Sequence, residues 1–117
     1  MTFPAEKNSA RRGHKFYPPE STLKKIPALY ANEDVPLSEK VLHAHFFVGG
    51  CDWYVAELDP QSGLAFGWAH ITHGEWGMFS LPEMENISVR GLFVVERDLY
   101  FDPAPATEID RIPAHAY

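Results

Sequence analysis

The sequence predicts a single α+β domain, a roughly five-stranded antiparallel sheet with short helices. Three observations carry this. Apolar residues alternate with a period of two in the main segments between residues 41 and 101, as half-buried strands require. The connections between those segments are hairpin-length and rich in Gly, Asp and Pro, which favours antiparallel neighbours. The helical signals are brief and interrupted by proline. At 117 residues the chain is the size of one domain, and such a domain hides roughly two thirds of its unfolded surface.

Residues 1–20 read as a basic extended arm. Pro4, Gly13, Pro18 and Pro19 punctuate it, and no apolar period runs through it. Lacking apolar surface to offset the ordering entropy, the arm is expected to pack poorly. Ser21 or Thr22 then caps a short helix that places Leu23, Ile26, Leu29 and Tyr30 on one face. Pro27 keeps it short or broken. Residues 32–36 form a turn, and residues 36–39 add one helical turn.

The period then changes to two. Residues 41–48 read as the first strand, with Leu42, Ala44, Phe46 and Val48 on one face and Val41, His43, His45 and Phe47 on the other. Gly49 to Asp52 turns the chain into a second strand at 53–58. Asp59 to Gly63 turns it again into a third at 65–71. The fourth, at 77–81, follows across Thr72 to Glu75. A short helix begins at Leu81, with Pro82 near its first position, and ends by about residue 87. Residues 92–101 form the fifth and strongest strand. The α+β domain thus spans 21–103, a meander-like sheet with helix on one face. The Pro- and Ala-rich residues 104–117 are expected to be a loosely ordered tail.

Composition excludes several classes. Hydrophobic residues are 45% and charged residues 22%, as in an ordinary globular domain. No apolar run approaches the roughly 18 residues of a membrane helix, and no secretory pattern opens the chain. The single cysteine, Cys51, excludes an internal disulfide and a four-cysteine zinc site. A cytoplasmic location is the expectation. Charge is unevenly placed. Residues 1–30 hold six Lys and Arg against two acids, net +4, and residues 31–117 hold four against fourteen, net −10. The acidic body opposes binding to a phosphate backbone, so any nucleic-acid contact is weak and through the arm.

Six segments in order, IPALYANEDV, the Phe46-Phe47 pair, WYVAELDP, FGWAH, GMFSLPEME and VERDLYFDP, give residues 23–103 a specific signature. It resembles a bacterial family known as domain of unknown function 2958. One departure is that Cys51 and Asp52 precede Trp53, where the family commonly has a second tryptophan. The family tends to occur on plasmids and integrated elements beside transfer, antirestriction and DNA-processing genes. The resemblance therefore implies a mobile-element role, and it supplies no reaction, cofactor or catalytic residue.

The candidate chemistry is sparse. His43 and His45 share a strand face with Cα atoms roughly 6.6 Å apart, weak candidates for a metal that His70, His73 or Glu75 would help hold. Two histidines on a polar strand face are more often hydrogen-bonded or solvent-facing. Cys51 near these histidines is a conceivable nucleophile, although a lone cysteine is usually an inert small residue. Glu57 with Glu96 or Asp98 supplies the two carboxylates of a hydrolase. No phosphate-binding loop or nucleic-acid motif is present, and no cofactor is expected.

Arg97 stands in the otherwise apolar row Phe93, Val95, Leu99 and Phe101, and Glu57 in the row of Trp53 and Val55. Either a bulge turns Arg97 outward, or it lies partly buried and needs a carboxylate; on the second reading Glu57 and Arg97 are expected to meet across the sheet. With Trp53 and Trp68 they form the candidate binding residues. The functional expectation is a non-enzymatic protein-interaction module of a plasmid or integrated element, with an unidentified protein partner and no membrane. The alternatives are an acidic anti-defence protein that mimics DNA on a host factor, or a small hydrolase built on strand carboxylates.

Overall fold

The alternating segments form the central sheet of the computed structural model, which describes residues 3–117. Two one-turn helices, α1 (Ser9–Arg12) and α2 (Glu20–Leu23), precede it. β1 (Val41–Leu42) and β2 (Ala44–Val48) lead through a two-residue Gly49–Gly50 loop into β3 (Cys51–Leu58). β4 (Leu64–His70) and β5 (Gly74–Ser80) extend the meander. In the turn before β4, the Asp59 carboxylate accepts the Gln61 N–H (2.9 Å) and the Ser62 hydroxyl (2.8 Å). Those bonds hold the Asp59 carboxyl below its usual pKa. After β5 comes α3 (Leu81–Glu85), where the Ser80 hydroxyl accepts the Glu83 N–H and Pro82 sits in the first turn.

β6 (Ser88–Val89) and β7 (Phe93–Val94) make a separate hairpin, β8 (Glu96–Arg97) rejoins the main sheet, and β9 (Ala104–Pro105) pairs with β1. The main sheet is five-stranded, ordered β5-β4-β3-β2-β8 and antiparallel throughout. The α+β expectation therefore holds. No helix among the described residues is long and apolar enough to cross a membrane.

Both sheet faces are covered, not one. On the first face Trp53 and Val55 of β3 and Phe46 of β2 pack against Phe16, Leu23, Ile26, Leu81 and Met84. On the second, Tyr54, Ala56 and Trp68 pack against Ala106, Ile109 and Ile112. The continuous apolar run WYVA suits a strand buried on both sides. Irregular chain ends do most of the covering, which corrects two expectations.

The arm is a docked element. Phe16 is fully buried and stands 4.7 Å, ring to ring, from Phe46. Arg12 is buried too. Its guanidinium meets Glu6 at 3.1 Å and Glu85 at 2.9 Å, and its Nε donates to the Val95 carbonyl at 2.6 Å. Glu85 also accepts the N–H groups of Lys7 and Asn8, and Glu6 that of Phe16. With every charge satisfied, this polar knot can be buried. Met1 and Thr2, the start of the expected arm, lie outside the described residues. The tail is docked as well. Ile109 and Ile112 are core residues, and Trp76 Nε1 donates to the Ala116 carbonyl at 3.1 Å.

Two expected strands are broken. The segment at 41–48 divides at His43, whose N–H donates to the Val55 carbonyl, so Leu42 joins the second face while Ala44 and Phe46 keep the first. The segment at 92–101 divides between β7 and β8, with Val94 and Val95 both buried in succession. The third departure is a bulge in β3. Val55 pairs with Gly67 and Glu57 with Phe66, leaving Ala56 as the extra residue. A Cβ at Gly67 would overlap the Tyr54 carbonyl, so glycine alone permits this close approach.

Candidate functional site

The bulge decides where Glu57 points. An extra residue reverses the alternation, so Glu57 leaves the row of Trp53 and Val55 and joins the side of Phe66. There it meets Lys40, not Arg97. Lys40 Nζ lies 3.3 Å from Glu57 Oε2, and both side chains are buried. Arg97 pairs in register with Phe46, and its Nε donates to the Lys15 carbonyl at 3.3 Å. The expected Glu57–Arg97 pair does not form.

The Lys40–Glu57 pair is the floor of an open hollow of about 490 Å³. Its walls are Tyr30, Val35, Pro36, Leu37, Phe66 and Met78, with Glu33 at the rim. Glu57 Oε1 accepts the Tyr30 N–H at 2.8 Å. Lys40 Nζ also donates to the Asn32 carbonyl at 2.7 Å and stands 5.7 Å from the Phe66 ring centre, within cation–π range. These bonds tie the 30–37 segment to the sheet. They also hold Tyr30 in the left-handed region, φ +67°, a conformation costly for a side chain of this size. The Tyr30 side chain is 62% exposed and Met78 43%, so the rim offers apolar surface to solvent.

Both carboxylate oxygens and the ammonium already have partners within the chain. An apolar group entering the hollow would remove wall surface from water, at about 25 cal/mol per Å², without stranding a charge.

The remaining predicted residues are dispersed. Trp53 is buried on the first face and Trp68 on the second, so they share no surface. Trp68 lies against Gly74, where a Cβ would overlap its ring. His45 is clamped by two carboxylates, Nε2 at 2.7 Å from Asp52 and Nδ1 at 3.0 Å from Asp98, with its ring stacked on Tyr54 at 4.3 Å. Arg111 of the C-terminal segment also reaches Asp52, at 3.0 Å. Burial, reinforced by Asp52, pushes the Tyr54 phenol up to about 12. With both nitrogens of His45 engaged, neither is open to a metal ion, and His43 lines a different cleft. No metal-binding group of three His, Cys, Asp or Glu side chains occurs among the described residues. Glu57 is not brought together with Glu96 or Asp98, since Asp98 belongs to the His45 clamp and Glu96 lies 3.4 Å from His14. Cys51 is half-buried, its Sγ 3.9 Å from the Ile71 carbonyl.

Sequence reasoning missed Lys40, Tyr30, Phe66 and Met78 as parts of one site. One signal was available. Lys40 is the only lysine in residues 31–117, set just before an apolar strand, and an isolated lysine in an acidic body invites a search for its carboxylate. Tyr30 gave no such signal, because a left-handed backbone is unexpected at tyrosine.

Fold and site together define a small α+β domain with an apolar hollow over an internally satisfied ion pair. The chain belongs to the family described as Protein of unknown function (DUF2958), whose model matches residues 29–109. No curated protein and no solved structure matches the chain. All residues of the hollow fall within the matched region. Four of the segments that carry the resemblance meet there: IPALYANEDV through Tyr30, Glu33 and Val35, WYVAELDP through Glu57, FGWAH through Phe66, and GMFSLPEME through Met78.

Proposed function

We propose that this protein is a non-enzymatic protein-interaction module that grips an apolar side chain of its partner in the hollow above Lys40 and Glu57. One observation carries the reading: both carboxylate oxygens and the ammonium of the ion pair have partners within the chain, while the walls around it are apolar and open. Such a site recognises chiefly by shape and burial. The family resemblance adds a setting to the proposal, the cytoplasm of a bacterium that carries a plasmid or integrated element.

The test is quantitative capture from such a bacterium with three baits: the wild type, Met78→Glu in the hollow, and Leu92→Glu in the exposed β6–β7 hairpin. Both substituted side chains are exposed, so the fold should tolerate them. The expected result is one stoichiometric partner held by the wild type and the Leu92 variant and lost by Met78→Glu. Equal capture by all three baits, or by none, refutes the reading.

A further inference from the structure

A second cleft, of about 310 Å³, lies where residues 18–25, the start of β2 and the chain after β8 meet. Arg97 stands in its wall. A guanidinium withdrawn from water ordinarily has a carboxylate partner, and Arg12 has two. Half-buried Arg97 has none among the described residues. Its one hydrogen bond, from Nε to the Lys15 carbonyl, leaves both terminal nitrogens of the fork without an acceptor. Burial depresses its pKa, opposed only in part by the charge of Glu6. Lys25, His43 and Thr22 line the same cleft and add donors. Burial lowers the pKa of His43, favouring the neutral ring, which still has one N–H to give.

Two acids also line the cleft. Asp98 is committed elsewhere, with Oδ2 on His45 and Oδ1 on the Tyr100 N–H. Asp102 is exposed at the margin. The remaining wall is apolar, from Phe101, Leu99, Pro18, Pro19 and Pro103.

We infer that this cleft binds a small ligand bearing an oxyanion, a phosphate or carboxylate held by the Arg97 fork, with an apolar body resting against Phe101 and the prolines. The planar fork matches either anion with two parallel bonds. The volume sits at the small end of ligand sites. The inference is independent of the hollow, which shares no residue with this cleft.

The experiment is a nuclear magnetic resonance titration of the isotope-labelled full chain at fixed ionic strength, with inorganic phosphate, phenyl phosphate and benzoate as probes. Saturable shifts are expected at Arg97, Lys25 and His43. Phenyl phosphate should bind more tightly than inorganic phosphate, and its ranking against benzoate assigns the anion. Arg97→Ala should abolish saturation, and Arg97→Lys should weaken binding about tenfold because the fork is lost. Should Arg97→Ala lose its native spectrum, Lys25→Glu decides, since Lys25 is exposed and its reversal must weaken binding in a folded protein. Shifts that never saturate, that spread over all exposed cations, or that persist in a folded Arg97→Ala or Lys25→Glu variant overturn the inference.

Discussion

The Arg12–Glu85 pair and the Lys40–Glu57 pair lie against opposite faces of one sheet, and both are buried with further hydrogen bonds to the chain. Their surroundings differ. Arg12 and Glu85 are sealed beneath the N-terminal segment, among Glu6, Lys7, Asn8 and the Val95 carbonyl. Lys40 and Glu57 form the floor of a hollow that opens between Tyr30 and Met78. The first pair fastens a chain segment to the sheet. The second supports a surface. A buried charge therefore does not by itself mark a functional site. What distinguishes the second pair is apolar surface left uncovered above it.

The sealed pair should show the largest effects on stability. Glu85→Ala removes one of the two carboxylates on the buried Arg12 guanidinium and leaves the Lys7 and Asn8 N–H groups without their acceptor, and should cost about 3–5 kcal/mol in denaturant unfolding. Phe16→Ala, in the same docked segment, should cost about 3–5 kcal/mol through loss of a filled core position. A loss below about 1 kcal/mol in both would mean that the segment is not docked in solution. The pair also sets an acid limit. Burial raises the Glu85 pKa, but the Lys7 N–H, the Arg12 side chain, the Asn8 N–H and the Arg12 charge together lower it further. A carboxyl whose folded pKa lies below its unfolded one adds stability above the ordinary glutamate range, lost as pH falls through the folded pKa. Stability of the wild type should therefore decline below about pH 4.5, more steeply than that of Glu85→Gln.

The open pair should respond less. Glu57→Ala should cost about 1–3 kcal/mol, because Lys40 keeps its bond to the Asn32 carbonyl and water can enter the hollow. A cost equal to that at Glu85 would erase the distinction between the pairs. At the rim the sign should reverse. Tyr30→Gly relieves a left-handed backbone and should stabilise the fold by up to about 1 kcal/mol while removing a wall of the hollow. Met78→Glu, half-exposed, should change stability by less than about 0.5 kcal/mol.

Much of the sheet was legible because period-two alternation and turn chemistry are local. WYVAEL and AFGWAH fall within β3 and β4, and Asp59 to Gly63 forms the turn between them. The site was legible only in part. Glu57 stood out as a charge in an apolar row, but the bulge at Ala56 sent it to the other face, away from Arg97. That bulge depends on Gly67 lying against the Tyr54 carbonyl, a contact between strands that no single segment announces. The chain ends were misread for a related reason. Glu6, Arg12, Phe16 and Glu85 form one knot from positions with no common period, and Ile109 and Ile112 are the only large aliphatic residues in an Ala- and Pro-rich stretch.

Amide hydrogen exchange on the free protein and on its complex with the captured partner tests the central claim most directly. The account predicts new protection in residues 30–37 and 66–78, which carry the walls of the hollow, with residues 6–16 and 81–85 unchanged. Protection confined to the N-terminal knot, or absent from the hollow in a stoichiometric complex, would contradict it.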